Sequence, residues 1–291
     1  MKWFRSVFSI SAQNLRKWQT DYRVWCIGIM LISLTAIFVD DMRNVIKETG
    51  TEMPVWIFPF MYTQFHTKLI YTLPVVLLFC SAPFTDRNQT FVFMRTGRIK
   101  WLCGQILYII IASAVYYLFI LAVSLLLTVF SGGFSLEWGK TLLIMSTSQS
   151  LGSVASGATA LTIDVSYIVV TFFTPLQAVW FTFLMSWLGA VFVGLTIFAL
   201  NLISGTKYLG VLVSSFFVIF SSMVAKDAGW EKLLRFSPMS WITLDMIDVG
   251  RVTKNPSFTY CVSVFAGLIA VLTAAILIFG RKKSLDSGGD Q

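Results

Sequence analysis

Residues 102–130 read LCGQILYIIIASAVYYLFILAVSLLLTVF, and they are entered through Arg95-Thr-Gly-Arg98-Ile-Lys-Trp101. The run holds no Asp, Glu, Lys or Arg, and about 20 apolar residues suffice to cross the hydrocarbon core of a bilayer. Its basic entry marks the side from which the helix starts. Working outward in both directions, five more apolar stretches appear near 22–40, 65–84, 174–202, 207–225 and 259–280. The expected fold is therefore an all-α polytopic membrane protein with six transmembrane helices. The spans at 102–130 and 174–202 are long enough to tilt or to project beyond the bilayer. Only Ile203 to Thr206 separate the fourth span from the fifth, so those two form a tight helical hairpin.

Composition agrees. The chain is 56% hydrophobic and 12% charged, with a mean hydropathy of +0.77, whereas soluble domains carry about 25% charged residues. Six spans and modest loops use up 291 residues as a single transmembrane domain, 1–291, with no room for a soluble catalytic domain. Residues Met1 to Trp18 lack the apolar run and small-residue cleavage site of a secretory signal. The first span doubles as the insertion signal. Cys26, Cys80, Cys103 and Cys261 lie scattered among apolar residues and read as small buried hydrophobes.

Orientation follows from the basic residues. With both termini on one side, that side collects Lys2, Arg5, Arg16, Lys17, Arg23, Arg87, Arg95, Arg98, Lys100, Lys207, Arg281, Lys282 and Lys283. Only Asp21, Asp86, Asp286 and Asp290 oppose them. Both termini are expected to be cytoplasmic. The net charge of +8 then reflects topology and anionic lipid, and no nucleic-acid partner is needed.

Three segments are not simple spans. Residues 1–20 form an amphipathic helix, with Trp3, Phe4, Val7, Phe8, Ile10, Leu15 and Trp18 on a broad apolar face. Lys2, Arg5, Arg16 and Lys17 lie opposite, and Ser11 and Asn14 interrupt the apolar face. A membrane anchor and an elbow helix that touches a cytoplasmic partner both fit this pattern. The cytoplasmic segment 84–101 carries apolar Phe91, Phe93 and Met94 among Asp86, Arg87, Arg95 and Arg98, with Thr85 and Gly97 placed to cap a short helix. It reads either as a docking helix for a protein partner or as a basic loop resting its aromatics on lipid. On the external side, 131–173 is broken by glycines and hydroxyl residues and is expected to form interfacial helices. The second external segment, 226–258, breaks at Ser237-Pro238 beside Trp241 and suits a re-entrant hairpin.

Several function classes fall away. No span carries a charge in its middle, against an ion-coupled carrier. His66 is the sole histidine, and no HExxH, GxSxG or intramembrane carboxylate pair is present, so no catalytic site is expected. Gly133 and Gly139-Lys140-Thr141 mimic a phosphate loop, but five residues separate the glycines where four are required. What remains is a bundle that moves something with energy from outside.

In that layout the chain resembles the permease subunit of a type-two ATP-binding-cassette exporter. The likeness rests on the basic amphipathic elbow, on Arg95-Thr-Gly-Arg98-Ile-Lys-Trp101, on Thr174-Pro-Leu-Gln-Ala178 and on the Phe236-Ser-Pro238 break. It implies a bacterial cytoplasmic-membrane dimer, identical or mixed, with each permease docked on a separate ATP-binding-cassette ATPase. That ATPase would hold ATP and Mg, and this chain would bind no cofactor or metal. Asp86, Arg87, Phe91, Phe93, Met94, Arg95 and Arg98 would then couple to the ATPase. Ser237, Pro238 and Trp241 would form an extracellular gate, and Trp3, Phe4, Phe8, Arg16, Lys17 and Trp18 would seat the elbow at the membrane interface. A lumen of Phe, Met, Ser and Thr would suit an amphipathic or hydrophobic cargo such as a peptide, drug or lipid. The segment 131–173 is longer than the family layout calls for. The alternative is an ATP-independent protein: a passive channel, a scaffold or a toxin-immunity protein.

Overall fold

The computed structural model describes residues 2–84, 96–132, 135–147, 163–224, 231–248 and 255–282. Within them the chain is helical, and the one isolated β-bridge pairs Asp248 with Ser257. The helices are α1 (Lys2–Arg16), α2 (Tyr22–Thr49), α3 (Phe65–Phe79), α4 (Arg98–Phe130), α5 (Gly139–Thr147), α6 (Tyr167–Phe172), α7 (Pro175–Ser204), α8 (Leu209–Met223), α9 (Glu231–Leu234) and α10 (Phe258–Lys282). Four of them, α2, α4, α7 and α10, are long and apolar enough to cross a membrane, and they make this a membrane-embedded protein.

Local chemistry sets the ends. Asp21 accepts a hydrogen bond from the Arg23 N–H at 3.0 Å and starts α2, and Gly50 stops it in the left-handed region at φ 64°. Thr174 and Gln177 form a reciprocal capping box ahead of Pro175, and Gly205 at φ 77° closes α7. Gly97, expected to end a helix in the preceding loop, stands at φ 81° between helical Thr96 and the start of α4.

Helix α7 is the hub. It packs against α3, α4, α8 and α10, and 78% of its most apolar stretch is buried, against 11% for α10. Most of α10 therefore faces outward. At a close approach of α7 to α4 and α3 stands Gly194, where a Cβ would lie 2.6 Å from Ile109 and 2.9 Å from Phe79. A side chain at that point would force the helices apart.

Several expected boundaries shift. The first expected span, α2, continues past residue 40 to Thr49, carrying Asp40 and Asp41 within it. The second stops at Phe79 instead of running to 84, and the fifth covers only Leu209–Met223. Both are 15 residues long, or about 22 Å at 1.5 Å per residue. Apolar runs reveal hydrophobic length, while a helix ends where turn chemistry and packing end it. The described part of 131–173 contains α5 and α6, which pack on each other.

Candidate functional site

Two polar constructions are built into this apolar bundle, one at the α1 end and one at the far end. Helix α1 lies along α4. Its contact side is Val7, Ile10, Ser11 and Asn14, all buried, whereas Trp3, Phe4 and Phe8 are exposed. The two polar residues that interrupt the apolar face in sequence are thus the ones turned inward. Gly104 on α4 permits this, because a Cβ there would sit 2.7 Å from the Ile10 side chain. Trp18 donates its indole N–H to the Tyr108 hydroxyl at 2.9 Å, and the Lys17 Nζ donates to Asn14 Oδ1 at 3.0 Å. Arg16 ends α1.

A chain of amides continues from there. Asn14 Nδ2 donates to Gln105 Oε1 at 3.0 Å, and Gln105 Nε2 reaches the Phe84 carbonyl at 3.4 Å. From the other side Asn201 of α7 donates to the Ala82 carbonyl at 2.7 Å and accepts from the Gly210 N–H of α8 at 2.8 Å. Two buried side-chain amides therefore hold the segment that leads out of α3 into residues 85–95. Of the expected coupling residues, Asp86, Arg87, Phe91, Phe93, Met94 and Arg95 lie outside the described residues. Arg98 is described, and it is exposed at the first position of α4.

At the far end the chain around Ser237 folds into the bundle. After α9 it forms two 3-10 turns, Pro238–Ile242 and Leu244–Met246, so short helical pieces stand on both sides of the Ser237-Pro238 break. Ser237, Pro238 and Trp241 are all buried. The Ser237 hydroxyl donates to Ser221 Oγ at 2.8 Å, and the Ser240 hydroxyl donates to the Ser221 carbonyl at 2.9 Å. Trp241 donates to the Leu234 carbonyl at 2.7 Å and stands edge-on to Phe265, 5.4 Å between centroids. Thr243 donates to the carbonyl of Tyr62, tying this plug to a fully buried 3-10 turn, Phe58–Tyr62.

A lysine lies at its centre. Lys68 of α3 is only 3% exposed, donates from Nζ to the Ser240 carbonyl at 3.2 Å, and is attracted electrostatically by Asp245. The reading of charge-free span interiors passes over it, because a lone lysine near the start of an apolar run looks like an interfacial residue. Beside it, Tyr62, Tyr71, Tyr116 and Tyr117 make a ring cluster, with Tyr62 and Tyr117 centroids 6.3 Å apart. Tyr116 donates to the Tyr71 carbonyl at 2.8 Å. The Tyr62 and Tyr117 hydroxyls are buried without a hydrogen-bond partner among the described residues. Leaving such a group unsatisfied costs about 1–3 kcal/mol.

The sequence reading also missed Gln105 and Asn201. Their signal was available: an amide inside an apolar span is costly unless bonded, so each one marks a helix contact. The four cysteines are all free, and Cys26 is exposed rather than buried. Among the described residues no group of His, Cys, Asp or Glu is placed to hold a metal ion. The chain matches no protein-family model and no curated protein.

Proposed function

We propose that this chain is the permease subunit of an ATP-binding-cassette exporter, driven by a separate ATPase and moving an amphipathic or hydrophobic cargo. The supporting observation is the amide clamp at the α1 end. Gln105 and Asn201 grip the carbonyls of Phe84 and Ala82, at the mouth of the segment that holds Phe91, Phe93, Met94 and Arg95. A push on that segment would pass into α1, α4 and α7 together, since all three share the clamp's hydrogen bonds. A bundle worked by a partner needs such a handle; a passive one does not.

In this reading both termini are cytoplasmic and six helices cross the membrane. Helices α3 and α8 are the two short crossings. The buried 3-10 turn before α3 completes its path through protein rather than lipid, where irregular backbone is tolerated. The plug around Ser237, Pro238 and Trp241 closes the external end, and the tyrosine cluster with its unsatisfied hydroxyls forms the polar ground beneath it. Lys68, held by Ser240 and Asp245, latches the plug to α3.

The test is gentle detergent purification of the tagged protein with identification of what accompanies it. The expected result is a stoichiometric soluble ATPase, retained by the wild-type chain and lost on Phe91→Asp or Arg95→Glu while the permease stays monodisperse. A partner-free chain under conditions that preserve known complexes overturns the reading in favour of an ATP-independent protein.

A further inference from the structure

Two cavities meet at the start of α2. The first, about 240 Å³, is polar and lined by Lys17, Arg23 and Lys207 together with Asn14, Asp21 and Tyr108. Among the described residues three cations thus face one carboxylate. Arg23 spends its Nε on Asp21 at 3.4 Å and one Nη1 hydrogen on the Cys80 sulfur at 3.3 Å, and a guanidinium has five donors in all. The second cavity, about 410 Å³, is almost wholly apolar and runs between α2, α3 and α4 past Ile27, Gly28, Leu31, Ile32 and Phe119. Trp18, Val24 and Leu78 line both. The polar chamber and the apolar groove therefore adjoin each other along those three side chains.

We infer that this pair is a binding site for one anionic phospholipid, its phosphate in the Lys17–Arg23–Lys207 chamber and one acyl chain in the groove beside Gly28. The inference rests only on the chain being membrane-embedded. Charge selects the occupant: a surplus of cations at the mouth of an apolar slot matches a molecule with an anion at one end and a hydrocarbon tail at the other. Length agrees as well. From Val24 to Ile32 the groove follows α2 for roughly 12 Å, close to the thickness of one leaflet, about 15 Å. The slot has room beside Gly28, where even a Cβ would meet only the Phe119 ring edge, at 4.0 Å. Trp18 marks the boundary between the two environments, with its indole N–H spent on Tyr108 and its ring against the slot.

The full chain, delipidated in a non-ionic detergent, is titrated with phosphatidylglycerol, with phosphatidylcholine and with glycerol 3-phosphate, and adducts are counted by native mass spectrometry. One phosphatidylglycerol per chain is expected, in clear preference to phosphatidylcholine. Arg23→Ala with Lys207→Ala should weaken it about 30-fold, from two cations at the strength usual for charges near an anionic surface. Lys207 lies on an exposed turn, so Lys207→Glu alone is the variant that leaves the fold intact, and it should also weaken binding. Gly28→Leu should lose the phospholipid without altering the chamber. Equal retention of both lipids, or phosphatidylglycerol binding indifferent to Lys207→Glu, overturns the proposal. Displacement of the lipid by equimolar glycerol 3-phosphate would reassign the chamber to a free phosphate. A lipid-free dimer abolished by Gly28→Leu would reassign the groove to a second copy.

Discussion

Lys68 and Asn201 show how much a single polar residue decides in an apolar bundle. Each makes a hydrogen bond to a main-chain carbonyl more than a hundred residues away in sequence, Ser240 and Ala82 respectively. A buried cation keeps its place only with partners, and removing one side of such an arrangement costs about 3–5 kcal/mol. Lys68→Ala should therefore lower the unfolding midpoint in detergent, measured by scanning fluorimetry, by an amount corresponding to about 3 kcal/mol. Lys68→Met combined with Asp245→Leu should recover most of it, because the pair is then replaced by apolar bulk rather than broken. Asn201→Ala abandons the Ala82 carbonyl and the Gly210 N–H, and should cost about 2 kcal/mol in the same assay.

Among the elements, α1 carries the sharpest test. Its position depends on Gly104, where the Ile10 side chain comes closer than any Cβ would allow. Ser11 is fully buried by that contact. In a background without native cysteines, Ser11→Cys should resist maleimide, and adding Gly104→Leu should expose it as α1 lifts from α4. Unchanged protection would mean that the helix is held by its ends alone. The amphipathic pattern of α1 was plain in the sequence, yet its buried side was not. Trp3, Phe4 and Phe8 are its bulkiest apolar residues and face out, because in a membrane lipid accepts apolar side chains as readily as protein does. What turns a helix inward there is polar pairing, as Asn14 makes with Gln105, and close packing, as at small, fully buried Ser11.

At the scale of the molecule, the proposed orientation, argued from the distribution of basic residues, puts both termini and the α7–α8 turn in the cytoplasm. Tyr208 on that turn and Leu136 before α5 are both well exposed, at 82% and 73%. In intact cells a membrane-impermeant maleimide should label Leu136→Cys, and should reach Tyr208→Cys only after permeabilisation. The opposite pattern would invert the topology and, with it, the coupling role proposed for residues 84–98.

By itself the sequence determined that this is a helical membrane protein, where its main apolar helices lie, and which end is basic. Those properties depend on runs of neighbouring residues and on the cost of taking charge into hydrocarbon, which are local quantities. Tertiary structure alone decided that α7 is the hub, that α3 and α8 are short, and that the Ser237–Trp241 segment is a buried plug instead of a surface loop. It also decided that Lys17, Arg23 and Lys207 share a chamber. Each of these depends on contacts between residues far apart in the chain, and in an apolar environment such contacts are chosen by a few amides, hydroxyls and glycines whose partners no local pattern reveals.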